Sequence, residues 1–91
     1  MTEPPRAHVW ISGRVQGVWF RDACRAEASA HGVAGWIRNL ADGRVEAVFE
    51  GPSAAVEDMV EWCRTGPPRA VVTAVDRRVE TPEGLTSFRV Q

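Results

Sequence analysis

Apolar and polar positions along the chain fall into short segments with two different periods. "HVWISG" at residues 8–13 alternates, with Val9 and Ile11 on one side of a pleat and Trp10 and Ser12 on the other, which predicts a first strand. "RDACRAEASAHG" changes the period. Phe20, Cys24 and Ala28 stand at i, i+4 and i+8, and Gly32 sits where a left-handed residue ends a helix. "AGWIRNL" and "VEAVFEG" flank "ADGR", and Asp42-Gly43 between extended segments predicts a hairpin. After Pro52 and Ser53, "AAVEDMVEWCR" places Val56, Met59, Val60 and Cys63 on one helical stripe, which Gly66 and two prolines terminate. "AVVTAVDRRVE" and "TSFRV" are extended and separated by the Pro/Gly turn "TPEGL".

The resulting order is β-α-β-β-α-β with a short fifth strand, the split βαβ or ferredoxin-like arrangement of the α+β class: a mostly antiparallel sheet with two helices on one face. In that arrangement the third strand lies between the first two and antiparallel to both, so strands one and two run parallel. Their C-terminal ends, Gly13 and Asn39-Leu40, then reach the same sheet edge, roughly 10 Å apart at two strand spacings. A chain of 91 residues has room for a single core, so residues 1–91 are read as one domain with a flexible N-terminus over 1–7.

Composition narrows the function classes. No apolar run approaches the roughly 20 residues of a membrane span, and "MTEPPRA" has no signal-peptide pattern, so a cytoplasmic protein without membrane partners is expected. A formal net charge of −1 offers no footprint for nucleic acid. The two cysteines, Cys24 and Cys63, fit a reducing compartment and core positions better than a disulfide framework or a zinc site. His, Cys, Asp and Glu do not cluster as metal ligands would, so no cofactor or metal is expected, and a monomer is assumed.

"GRVQGVWFR" at residues 13–21 carries the candidate chemistry. Gly13 and Gly17 permit positive φ, and no proline removes an amide from Arg14 through Arg21. The loop empties into a helix N-terminus, which favours negative charge, and Arg21 adds a guanidinium fork matched to phosphate oxygens. Two readings fit these residues: a phosphate cradle, or a glycine-containing strand-to-helix turn with a surface arginine. The sequence is neither GxxxxGK[ST] nor GxGxxG, so a nucleotide-binding loop is not expected.

"GRVQGVWFR", followed by Asn39 in "GVAGWIRN" and then by "DGRVEAVFEG", resembles the acylphosphatases, small enzymes that hydrolyse carboxyl-phosphate anhydrides. The likeness runs from His8 to Val90. It implies that Arg21 is the catalytic, phosphate-binding arginine and that Asn39 positions the attacking water. It also implies that Arg14, Val15, Gln16, Gly17, Val18, Trp19 and Phe20 supply the phosphate-binding loop with their amides. Small acyl phosphates are the implied substrates, with inorganic phosphate or sulfate as competing anions. The family often ends in tyrosine, whereas this chain ends "FRVQ" and contains none.

The chemistry is consistent with that set. A carboxylate leaving group has a conjugate acid with a pKa near 4, so no general acid is needed at neutral pH. Phosphoryl transfer then depends on positioning and charge stabilisation. Other readings are weaker. "CRTGPPR" spans a C-x5-R, but it follows a helix, its prolines remove amides, and Cys63 belongs to an apolar stripe. Cys24 lies on a buried face, and Asp22 next to a bound phosphate would repel it. Trp19 is either a wall for the acyl group or a core aromatic. RNA-recognition domains share the element order, but Glu46 and Glu50 stand where bases and phosphates would pass. A non-catalytic anion-binding or regulatory domain of the same fold is the remaining alternative.

Overall fold

The computed structural model describes residues 6–91. Seven elements follow in order: β1 (Arg6–Arg14), α1 (Phe20–His31), β2 (Ala34–Asn39), β3 (Val45–Glu50), α2 (Ser53–Cys63), β4 (Val71–Glu80) and β5 (Phe88–Val90). They build one five-stranded sheet in the order β4-β1-β3-β2-β5. β3 pairs antiparallel with both β1 and β2, and β4 pairs antiparallel with β1. β5 joins β2 in parallel. The expected ferredoxin-like order is the one observed.

The two helices share one core with the sheet. Val9, Ile11, Ile37, Val45, Ala47 and Phe49 project from the strands, and Phe20, Cys24, Ala28, Val56, Met59 and Cys63 meet them from the helices, all buried. Burying such side chains contributes about 1.5–3 kcal/mol each for the larger ones, which is why the two periodicities specify the layers so directly. Phe20 meets Trp62 edge-on with ring centroids 5.3 Å apart. α1 ends at Gly32, whose φ of 67° is the left-handed C-cap its position predicts.

β1 starts two residues earlier than its apolar pattern indicates. Arg6 and Ala7, expected in the flexible N-terminus, are buried strand residues, and residues 1–5 lie outside the described part. The reason is a set of partners remote in sequence. Arg6 donates to Glu50 at 2.8 Å and to Glu80 at 2.9 Å, and the two nitrogens of His8 lie 2.7 Å from Glu80 and 2.7 Å from Glu46. Glu46 also accepts from Arg38 at 2.6 Å. His8 stacks on Trp10 at 4.0 Å and meets Trp36 edge-on at 5.8 Å. Glu46 and Glu50 are therefore buried and paired, because these side chains cover the sheet face opposite the helices. Burial raises the Glu50 carboxyl, but the amides of Glu83 and Leu85 and the Arg6 guanidinium outweigh it and hold the group below its ordinary value.

At the other end of β1 the ladder to β4 shifts between Ser12 and Gly13. Gly13 has φ 123°, and a Cβ there would stand 2.1 Å from the carbonyl oxygen of Val71. Only glycine lets the two backbones approach so closely while the chain turns out of the sheet.

Candidate active site

The loop from β1 enters α1 through a residue unsuited to capping. Trp19 occupies the N-cap with φ 66° and ψ 21° and makes no side-chain cap hydrogen bond. A left-handed tryptophan is uncommon, and such conformations concentrate at functional sites. The first helical bond runs from Ala23 N–H to the Trp19 carbonyl at 3.0 Å. The amides of Phe20, Arg21 and Asp22 therefore have no helical acceptor. Among the described residues, no amide from Val15 to Phe20 donates to a main-chain or side-chain acceptor either. The result is a curved row of free N–H groups at the positive end of a helix, an arrangement whose partial charge favours an anion.

The loop is braced from within. Val15, Val18 and Phe20 are buried, which fixes the loop and its junction with α1 into the core while their amides stay free. Gly17 has φ 73° and nothing near its missing side chain, so its glycine serves backbone conformation alone. The Gln16 side chain reaches across the sheet end and donates to the carbonyls of Leu40, at 2.7 Å, and Arg44, at 2.9 Å. It thereby ties the loop to the β2–β3 turn that follows Asn39.

A pocket of about 310 Å³ is lined by Val15, Gly17, Trp19, Phe20, Arg21, Asp22, Asn39 and Val90. Arg21 and Asn39, which sequence order placed on different elements, thus face one cavity. Arg21 donates from Nη1 to the main-chain oxygen of Gln91 at 2.8 Å, leaving its other donors for a ligand. That acceptor is main chain, independent of the side chain at 91. Asn39 closes β2 opposite Val45, is exposed, and has no hydrogen-bonded side-chain partner among the described residues. Trp19 is 70% exposed, so the wall of the pocket and not the core is its place.

The competing candidates are elsewhere. Cys63 and Cys24 are buried between the helices, away from the pocket, and burial pushes the Cys24 thiol well up. Arg69, the other end of the C-x5-R, is exposed in the turn before β4. His31 lies in the last turn of α1 near Glu27 and Asp58. Among the described residues, no group of three or more His, Cys, Asp or Glu is placed to hold a metal ion. No helix there is long and apolar enough to cross a membrane.

A split βαβ sandwich whose first strand opens into free amides, with a guanidinium at the helix start and an unpartnered amide side chain on the parallel strand, is a small anion-handling domain. Comparison with known proteins makes the class specific. The family model for acylphosphatase matches residues 7–90. A curated acylphosphatase of Gloeobacter violaceus is 61% identical over 90 residues, covering 99% of this chain and 97% of that one. The solved acylphosphatase of Coxiella burnetii matches with a TM-score of 0.93 at 37% identity, over 98% of this chain and 94% of that one. That of Bacillus subtilis gives 0.92 at 36%, over 96% and 98%. The chain belongs to the acylphosphatase family. It is a hydrolase of that family, acting on small acyl phosphates.

Proposed function

We propose that this single-domain enzyme holds the phosphoryl group of its substrate on the amides of residues 14–20 and the Arg21 guanidinium, while Asn39 orients the attacking water. The observation that carries the reading is the pocket that brings Arg21 and Asn39 together beside amides with no acceptor of their own. Water attacks phosphorus in line, the bond from phosphorus to the acyl oxygen breaks, and the electron pair leaves on the carboxylate. The water proton passes to a phosphoryl oxygen or to solvent. A leaving group with so low a pKa takes no proton in the transition state, so the site has no need of a general acid. Arg21 and the amides meet charge on the phosphoryl oxygens with donors already in place, which is where the rate gain arises.

The reading makes the protein a cytoplasmic monomer acting on small molecules, with neither nucleic acid nor membrane as partner. Two buried free thiols support a reducing compartment. The experiment is hydrolysis of benzoyl phosphate with inorganic phosphate or sulfate as inhibitor. Rapid turnover with competitive inhibition is expected. Binding of phosphate without turnover would instead favour a regulatory anion-binding domain, and purely noncompetitive inhibition would move the anion off the loop.

A further inference from the structure

The loop has a second side. A depression of about 520 Å³ next to the pocket is lined by Arg14, Gln16, Gly17, Val18 and Arg69, and Gly17 borders both spaces. Arg14 pairs in register with Val71, which brings the turn before β4, and with it Arg69, beside the loop. That turn is well held. Ala70 N–H donates to the Pro67 carbonyl at 2.9 Å, and Gly66 packs so near Phe20 that a Cβ would meet its ring at 2.6 Å. Both arginines are exposed, and among the described residues neither has a carboxylate in ion-pair range. Two uncompensated cations therefore flank the phosphate loop.

In-line displacement gives the acyl group a direction. Water on Asn39 attacks from the β2 side, so the acyl oxygen departs from the opposite face of phosphorus. In the sheet order, β1 and β4 lie across β3 from β2, and the Arg14 and Arg69 depression lies on that β1–β4 side. We propose that this depression is an acyl-group subsite selective for monoacyl phosphates of dicarboxylic acids, whose free carboxylate the two guanidinium groups receive. Carboxylate is the anion a guanidinium fork matches with two parallel bonds. The inference rests on the water-orienting role given to Asn39.

The test compares kcat/KM for succinyl phosphate with that for butyryl phosphate, which has a methyl group where the free carboxylate stands, after subtraction of spontaneous hydrolysis. The wild-type protein should favour succinyl phosphate by roughly tenfold at low salt, a few-fold for each exposed charge pair. Arg69→Gln should lower that ratio about threefold through the succinyl arm alone, with butyryl turnover and phosphate inhibition unchanged. Raising salt from about 0.01 M to about 0.3 M should shrink the wild-type ratio, since exposed pairs are screened. A wild-type ratio near one, or a ratio unaffected by Arg69→Gln, overturns the subsite. So does equal loss for both substrates, which would place Arg69 in support of the loop. Turnover of neither substrate by the wild type rejects the proposed function itself, and this inference with it.

Discussion

Arg21 and Gln91, 70 positions apart, are joined by a 2.8 Å hydrogen bond from guanidinium to main-chain oxygen. Gln91 N–H in turn donates to the carbonyl of Ile37 at 2.9 Å, two residues before Asn39 on the same strand. The cation and the water-orienting amide proposed above thus share β2 as their frame, although they stand on different elements.

Because the Gln91 acceptor is main chain, Gln91→Ala should keep kcat/KM for benzoyl phosphate within about twofold. Ending the chain at Val90 removes the acceptor. A hydrogen bond to a charged group is worth about 1.5–3 kcal/mol, so activity should fall roughly tenfold to a hundredfold and phosphate inhibition should weaken with it. Steady-state kinetics of the two variants decide this. Full activity in the shortened chain would show that Arg21 needs no such anchor.

Two glycines near the loop should fail for different reasons. Gly17→Ala meets no atom and incurs only a left-handed backbone cost of about 1–2 kcal/mol. Gly13→Ala drives a Cβ into the Val71 backbone, which has no side chain to yield, and should cost about 3 kcal/mol or more in urea unfolding. Equal stability losses would contradict the close approach of β1 and β4.

The paired acids on the open sheet face should set the response to acid. Burial raises Glu46, but the His8 and Arg38 hydrogen bonds outweigh it and lower the carboxyl, and the His8 hydrogen bond is the leading cause of a lowered Glu80. A carboxyl held below its ordinary 4.5 binds its proton less readily folded than unfolded. The stability it adds is complete above about pH 4.5 and is lost as pH falls through the lowered folded value. Glu50→Ala, which strips an acceptor from Arg6 and from the amides of Glu83, Gly84 and Leu85, should cost about 2–4 kcal/mol at pH 7 and flatten that acid slope. Glu50 lies at the sheet end away from the loop, so kcat at 25 °C should stay within about twofold. Urea unfolding from about pH 7 to about pH 3 measures the slope, and an unchanged slope would exclude Glu50 from the acid response.

Much of this was legible in the residues because the fold rests on local signals. The stripes of α1 and α2, the Asp42-Gly43 turn and Gly32 each act within a few residues, and together they dictate the order from which the convergence of the loop and Asn39 follows. What escaped the sequence depends on partners far along the chain. Arg6 becomes a buried strand residue only through Glu50 and Glu80, 44 and 74 positions away. Gln16 was expected to supply an amide, and its side chain proves to be a brace to Leu40 and Arg44. Trp19 was open between core and wall because size alone does not report a left-handed backbone, which turns the ring outward.

The central claim is that Arg21 holds the phosphoryl group and Asn39 holds the water, and one paired measurement separates the roles. For Arg21→Gln and Asn39→Ala, with folding confirmed by circular dichroism, kcat for benzoyl phosphate and the inhibition constant for inorganic phosphate are measured together. Both variants should lose about 3–5 kcal/mol in the chemical step, roughly a hundredfold to several thousandfold. Arg21→Gln should also lose phosphate inhibition, whereas Asn39→Ala should keep its inhibition constant within about threefold, because only attack geometry is removed. If Asn39→Ala weakens phosphate binding as much as Arg21→Gln does, Asn39 belongs to the cradle and the water is held by something else.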